Sequence, residues 1–281
     1  MNYKTLRRWE LAYTNFLKKI KSVEFGCVVL DYDRTLCSDR RRLDGPDTDI
    51  INEIERIIKL GYLIAIVTGR GQSVKNDLKK LIIDKNLHEN IIIGYYNGSD
   101  IGFLSSDKFP NVERKNAVVL ENIYKELKDS DINEFLSLSL RPDQLTVEII
   151  DGQDWRFIKP ALYNLVMDSK DTGFIILESS RSIDIVVRPK VSKLNVIAYC
   201  ENELIKKGIS NYCLCIGDKG RYPGNDFELL TYPFSLSVDE VSTDMNTCWN
   251  ISPKSVNNAD SCLIYLKSLK AGNMGLIFDY E

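Results

Sequence analysis

An α/β fold, with a parallel sheet flanked by helices and a small α+β domain inserted into it, is what three features of the 281-residue sequence predict. Short apolar runs rich in β-branched residues alternate with amphipathic helical stretches, the pattern of parallel strands joined by right-handed crossovers. The pattern stops near residue 100 and resumes after about residue 181. A small polar cluster follows several of the apolar runs, where the ligands of open α/β sheets sit.

Taken in order, residues 3–20 carry Leu6, Trp9, Tyr13, Phe16, Leu17 and Ile20 at three- and four-residue steps. One apolar stripe of this kind predicts a helix packed on the parent core. It forms an N-terminal extension (residues 1–24) ahead of the first strand. Phe25 to Asp31 reads as a strand buried on both faces, as does Leu63 to Val67. Asp47 or Thr48 caps a helix over about 48–60, whose inner face is Ile50, Ile51, Ile54, Ile57 and Ile58, and Gly61 ends it. A helix over about 72–82 leads to a third strand at Asn90 to Gly94. Tyr212 to Gly217 and Phe234 to Val238 read as the last two strands, and a closing helix spans about 259–269. Between these parts, helices at 115–128 and 155–169 and strands at 135–140, 144–150, 173–178 and 182–187 have only partial alternation, so at least one sheet face is expected to be open. The expected division is 1–100 with 182–281 as the main domain and 101–181 as the insert.

Composition narrows the function. A hydrophobic fraction of 44% and a charged fraction of 27% are globular values and exclude a disordered or collagen-like chain. No apolar run approaches the ~18 residues that span a bilayer, and Met1 to Glu24 is charged throughout, without the apolar centre of a secretion signal. The net charge of −3 gives no global drive toward nucleic acid or anionic membrane, though a local basic cleft stays open. Seven scattered cysteines with no CxxC pair point to a reducing cytoplasm rather than to disulfides or zinc. His88 is the single histidine and reads as a surface residue at a helix end, which argues against a Ser-His-Asp or Cys-His site.

The strand ends carry the chemistry. Asp31-Tyr32-Asp33-Arg34-Thr35-Leu36 follows the first strand, Thr68-Gly69-Arg70 the second, and Gly217-Asp218 with Asn225-Asp226 the fourth. Arg188 to Lys193 opens a helix at the exit of the insert. This ladder sets several carboxylates, a hydroxyl and a lysine at one sheet edge. Gathered carboxylates repel unless a cation joins them, and oxygen ligands without His or Cys favour Mg²⁺. A carboxylate can also attack phosphorus, and a second one two residues on can serve as general acid and base. Taken singly, each element also has a plain reading as a turn, a helix cap or a surface lysine.

In this order, DYDRTL, VTGR, Lys193 and GD…ND resemble the four motifs of the haloacid dehalogenase (HAD) phosphatase superfamily. The insert between the second and third motifs resembles the C2-capped branch, which includes Cof-type and sucrose-phosphatase-like enzymes. Asn97-Gly98 in YYNGSDI and the run Ser180 to Lys193 resemble further features of that branch. The resemblance covers about residues 25–240 and implies a Rossmann-like core with a C2-type cap. It implies Asp31 as nucleophile and Mg²⁺ ligand, and Asp33 as general acid/base with its carbonyl on the metal. It implies Lys193 on both the phosphoryl group and Asp31, and Asp218 and Asp226 as metal ligands or their support. Thr35, Thr68, Gly69, Asn97 and Asn225 would orient these groups or bind phosphate.

The implied activity is Mg²⁺-dependent phosphomonoester hydrolysis through an aspartyl-phosphate, with a small phosphorylated substrate, a sugar phosphate first. The competing readings are a non-hydrolytic HAD-scaffold regulatory or binding module, a phosphatase acting on nucleotides or nucleic-acid ends, and a phosphomutase. Three departures from the branch stand out. Arg34 occupies a position where the branch has glycine, and reads as a solvated side chain, with a crowded loop or an extra cation as the alternatives. Lys219 to Gly224 lengthen the fourth motif, with Arg221 and Tyr222 candidates to reach substrate. The N-terminal helix precedes the usual start. Arg40-Arg41-Arg42 reads as a solvated charged turn, with a second anionic group of the substrate as the alternative.

Overall fold

The apolar runs form the central sheet of the computed structural model, which describes residues 2–38, 44–111, 113–150, 152–169 and 172–280. The Arg40-Arg41-Arg42 cluster lies outside the described residues. The chain begins with α1 (Tyr3–Lys21), whose N-terminus is capped by Asn2 accepting from the Thr5 N–H at 2.9 Å. Then come β1 (Glu24–Phe25), β2 (Cys27–Asp31), α2 (Thr48–Lys59), β3 (Leu63–Val67), α3 (Gln72–Leu81), β4 (Ile91–Tyr95) and β5 (Asp100–Phe103). The insert holds α4 (Val118–Lys128), β6 (Leu136–Leu140), β7 (Gln144–Ile149), α5 (Trp155–Asp168), β8 (Phe174–Glu178) and β9 (Ser182–Val187). The chain closes with α6 (Lys193–Lys207), β10 (Cys213–Lys219), β11 (Ser235–Glu240), α7 (Asn258–Lys267), β12 (Leu269–Ala271) and β13 (Leu276–Phe278).

The chain divides into two units. In the first, residues 1–110, 193–222 and 226–281, the sheet order is β11-β10-β2-β3-β4-β5, parallel except for β5. Alternate residues of each strand serve different layers, which is why the runs are apolar without interruption. Val28, Leu30, Ile64, Ile66, Leu214 and Ile216 pack with the inner faces of α2, α3 and α7. Cys27, Val29, Leu63, Ala65 and Cys213 pack on the other face with Val196, Ile197, Cys200 and Leu204 of α6. The stripe of α1 packs on the core over its later turns, with Phe16 and Ile20 buried and Trp9, Tyr13 and Phe16 around Trp249 at centroid distances of 5.6, 5.1 and 6.4 Å, whereas Leu6 at its start is exposed.

The run expected to form one strand over 25–31 is broken at Gly26. Glu24 and Phe25 pair instead with β13 in a small sheet ordered β1-β13-β12. The chain passes so close to Ser210 at this break that a Cβ on Gly26 would lie 2.0 Å from the Ser210 carbonyl oxygen. The C-terminal segment supplies the middle strand of this sheet, β13. His88 is buried rather than at the surface, its Nε2 lying 2.8 Å from the Ile82 carbonyl oxygen.

The second unit, residues 111–192 with 223–225, is a four-stranded antiparallel sheet ordered β6-β7-β9-β8, with α4 and α5 packed on it through Leu120, Ile123, Leu145, Ile158, Leu162 and Ile185. Its limits differ from the 101–181 expected from texture for two reasons. β5 hydrogen-bonds to β4 and so belongs to the first unit, whereas β9 is an inner strand of the second. Among the described residues no helix is long and apolar enough to cross a membrane.

Candidate functional site

Parallel register sets the site. Asp31 is the last residue of β2 and stands opposite Val67 of β3, so Thr68 follows at the same edge; Leu30 pairs with Ile216 of β10, so Asp218 arrives there too. Lys193, the first residue of α6, is 1% exposed. Its ammonium donates to Asp31 Oδ1 at 2.7 Å and to Asp226 Oδ1 at 2.5 Å. The other oxygen of Asp226, Oδ2, accepts the backbone N–H groups of Asp218 at 2.9 Å and Lys219 at 3.2 Å. This close approach requires glycine at 217, because a Cβ there would lie 2.8 Å from the Asp226 carboxylate.

Burial and charge fix the electrostatics. Desolvation, with the nearby Asp226 carboxylate, pushes Asp31 up to about 8 despite the opposing charge of Lys193. Asp218 is raised well above the ordinary carboxylate value by burial and by Asp226 and Asp31. Asp226 behaves oppositely: burial would raise it, but Lys193 and the backbone donors hold it below the usual value. Burial likewise opposes the charge on Lys193, and the two carboxylates more than offset it. One oxygen from each of Asp31, Asp218 and Asp226 lies within 4.8 Å of the others, and Asp31 Oδ2 is buried without a hydrogen-bond partner. An all-oxygen set with an orphaned carboxylate oxygen and two carboxyls raised by burial and by their neighbours fits a hard divalent cation. Asp226, with both oxygens already engaged, is suited to support such an ion more than to bind it.

The turn after β2 is closed by the Leu36 and Cys37 N–H groups donating to the Tyr32 carbonyl at 3.0 and 3.2 Å. Asp33 makes a two-pronged ion pair with Arg70, through Nε at 2.9 Å and through Nη2. Arg70 also stacks over Tyr32, its Cζ 5.2 Å from the ring centroid. Thr35 is fully buried and its hydroxyl has no partner. Thr68 Oγ1 accepts the Arg70 N–H at 3.0 Å, and the Thr68 carbonyl accepts the Asn97 N–H at 2.7 Å. Asn97 is buried at φ 56, in the left-handed region that asparagine tolerates. Gly69, next to Thr68 in the β3–α3 loop, is half-buried.

Arg34 is not solvated as the sequence suggests. Its guanidinium donates from Nη2 to Asp239 Oδ2 at 2.9 Å, and its Nε lies 3.6 Å from Asp218 Oδ2. The lengthened fourth motif has a structural use: Pro223 and Asn225 run beside Glu178, with the Glu178 N–H donating to the Pro223 carbonyl at 2.8 Å and the Asn225 N–H to the Glu178 carbonyl at 2.9 Å. Asn225 is placed with the second unit, and its Oδ1 is buried without a partner. Tyr222 is exposed and packs edge-on to Phe227, 5.5 Å between centroids. Sequence reading missed two members, Arg70 as partner of Asp33 and Asp239 as partner of Arg34. Arg70 sits within a recognised motif and could have been found there; nothing marks Asp239, 205 residues from Arg34.

No protein-family model matches the chain, and no curated protein matches its sequence. Solved structures do match. The C-terminal domain of C. albicans trehalose-6-phosphate phosphatase is 15% identical with a TM-score of 0.63, covering 90% of this chain and 94% of that one. A HAD/COF-like hydrolase from Plasmodium vivax is 17% identical with a TM-score of 0.63, covering 89% and 97%. An N-terminally truncated Plasmodium falciparum IMP-nucleotidase with IMP bound is 16% identical with a TM-score of 0.57, covering 90% and 70%. The chain therefore has the Rossmann-like haloacid dehalogenase fold, shared with these structural neighbours.

Proposed function

We propose that the chain is a Mg²⁺-dependent phosphomonoester hydrolase that carries the phosphoryl group on Asp31 and acts on a small phosphorylated metabolite such as a sugar phosphate. The observation that carries this reading is the buried cluster of Asp31, Asp218, Asp226 and Lys193 at the carboxyl ends of the parallel strands. Such a cluster is costly to bury and has no packing function that a neutral set would not serve better.

The roles follow from the contacts. Asp31 must be ionised to attack phosphorus, yet burial favours its neutral form. Mg²⁺ held by Asp31, Asp218 and the Asp33 carbonyl, with Asp226 behind them, would supply the charge that keeps Asp31 ionised and offsets the phosphoryl oxygens. Lys193 holds Asp31 in place and adds a fixed positive charge in a water-poor site. An Asp31 oxygen attacks phosphorus, and the ester oxygen leaves with a proton from Asp33. Asp33 then takes a proton from water, whose oxygen attacks the acyl phosphate, releasing phosphate and restoring Asp31. For this, one oxygen of Asp33 must leave Arg70 to exchange the proton while the other stays paired and holds the carboxyl in place. Thr68 and Gly69 after β3 and Asn97 after β4 would donate to phosphoryl oxygens.

A nucleotide monophosphate is the second substrate reading, favoured by the likeness to the IMP-nucleotidase. Phosphate release from a panel of sugar phosphates and nucleotides, with Mg²⁺ and with chelator, tests both. The expected outcome is metal-dependent release that Asp31→Asn abolishes. Release that survives chelation or the Asp31→Asn change would refute the reading.

A further inference from the structure

We propose that Arg34 is a positioning residue that acts as a built-in cation beside Asp218, so that the acidic cluster binds a divalent cation more weakly than its carboxylates alone would. The inference rests on the cation site proposed above. Arg34 has φ 63, a region in which any Cβ crowds the following carbonyl and which glycine enters freely. The chain bears that strain with a side chain that is only 19% exposed and anchored at both ends of its guanidinium. One end bonds Asp239 on β11; the other stands 3.6 Å from Asp218 on the adjacent β10, an ion-pair distance longer than a direct hydrogen bond.

Asp218 thus feels a fixed positive charge without a direct hydrogen bond to it. With every group ionised, and counting described residues only, Asp31, Asp33, Asp218, Asp226 and Asp239 set against Lys193, Arg34 and Arg70 leave two negative charges that one divalent cation would match. Without Arg34 there would be three. A divalent ion approaching Asp218 is therefore repelled by a guanidinium that Asp239 prevents from swinging away.

The test is Mg²⁺ titration by calorimetry, at constant ionic strength, of the full chain and of Arg34→Met, Arg34→Lys, Arg34→Gly and Asp218→Asn. Met and Lys both keep a Cβ in the strained backbone, so only charge separates them. Gly removes charge and strain together and remains informative if the Met variant does not fold. We expect Arg34→Met and Arg34→Gly to bind about tenfold more tightly, Arg34→Lys to stay within about threefold of the parent, and Asp218→Asn to lose binding. Unchanged or weaker binding by the Met and Gly variants, with Asp218→Asn still lost, overturns the role of Arg34 alone. Equal affinity of the Lys and Met variants overturns it too. Undiminished binding by Asp218→Asn overturns the cation site itself, and this inference with it.

Discussion

Lys193 lies between two buried carboxylates, and its removal separates structure from chemistry at the scale of one residue. Lys193→Met leaves Asp31 and Asp226 without their shared cation, so it should cost about 3–5 kcal/mol of stability, read as a fall in Tm, with Mg²⁺ restoring part of it. Arg70 acts on Asp33 differently, through orientation. Arg70→Met should lower kcat by about tenfold to a hundredfold by loosening Asp33, with Mg²⁺ affinity within about twofold of the parent; equal loss in both would mean that Arg70 serves the cluster instead. Asp33→Asn should lower kcat by roughly 10²–10⁴-fold, the range of a lost general acid. Asp31, Asp33, Lys193 and Asp218 were legible in the sequence because each directly follows an apolar strand or opens a helix. The Arg34–Asp239 pair was not, since only the sheet order β2-β10-β11 brings the turn after β2 and the end of β11 together across 205 residues.

At the scale of elements, the five parallel strands were readable because burial on both faces removes polar residues from the run. Their ends were not, because a strand that changes sheets keeps the same composition on both sides of the change, as at Gly26. The limits of the insert were blurred for the same reason: β5 and β9 are similar apolar runs, and only their hydrogen-bond partners assign them. Gly217 ties an element to the site. Gly217→Ala drives a methyl into the Asp226 carboxylate, and should cost about 1–3 kcal/mol of stability and weaken Mg²⁺ binding in calorimetry.

The whole molecule couples folding to protons and to metal. Asp31, at about 8 when folded and about 3.8 when unfolded, keeps its proton in the native state across that interval while the unfolded chain loses it. Its contribution is therefore fully present below about 3.8 and is lost as pH rises toward 8; Asp218, also raised, acts in the same direction. Asp226, held below the ordinary value, has the opposite sign and matters only in more acidic solution. In chelator, Tm should fall between pH 5 and pH 8, and Mg²⁺ should raise Tm more at pH 8, where it competes with fewer bound protons. A metal-induced rise independent of pH would contradict this linkage. The central claim, that phosphoryl transfer passes through Asp31, is tested most directly by borohydride reduction during turnover of an active phosphomonoester, followed by peptide mass spectrometry. The account predicts that residue 31, and no other carboxylate, is converted to homoserine, and only when substrate is present. Sustained phosphate release with residue 31 unmodified, or with another carboxylate reduced in its place, would contradict it.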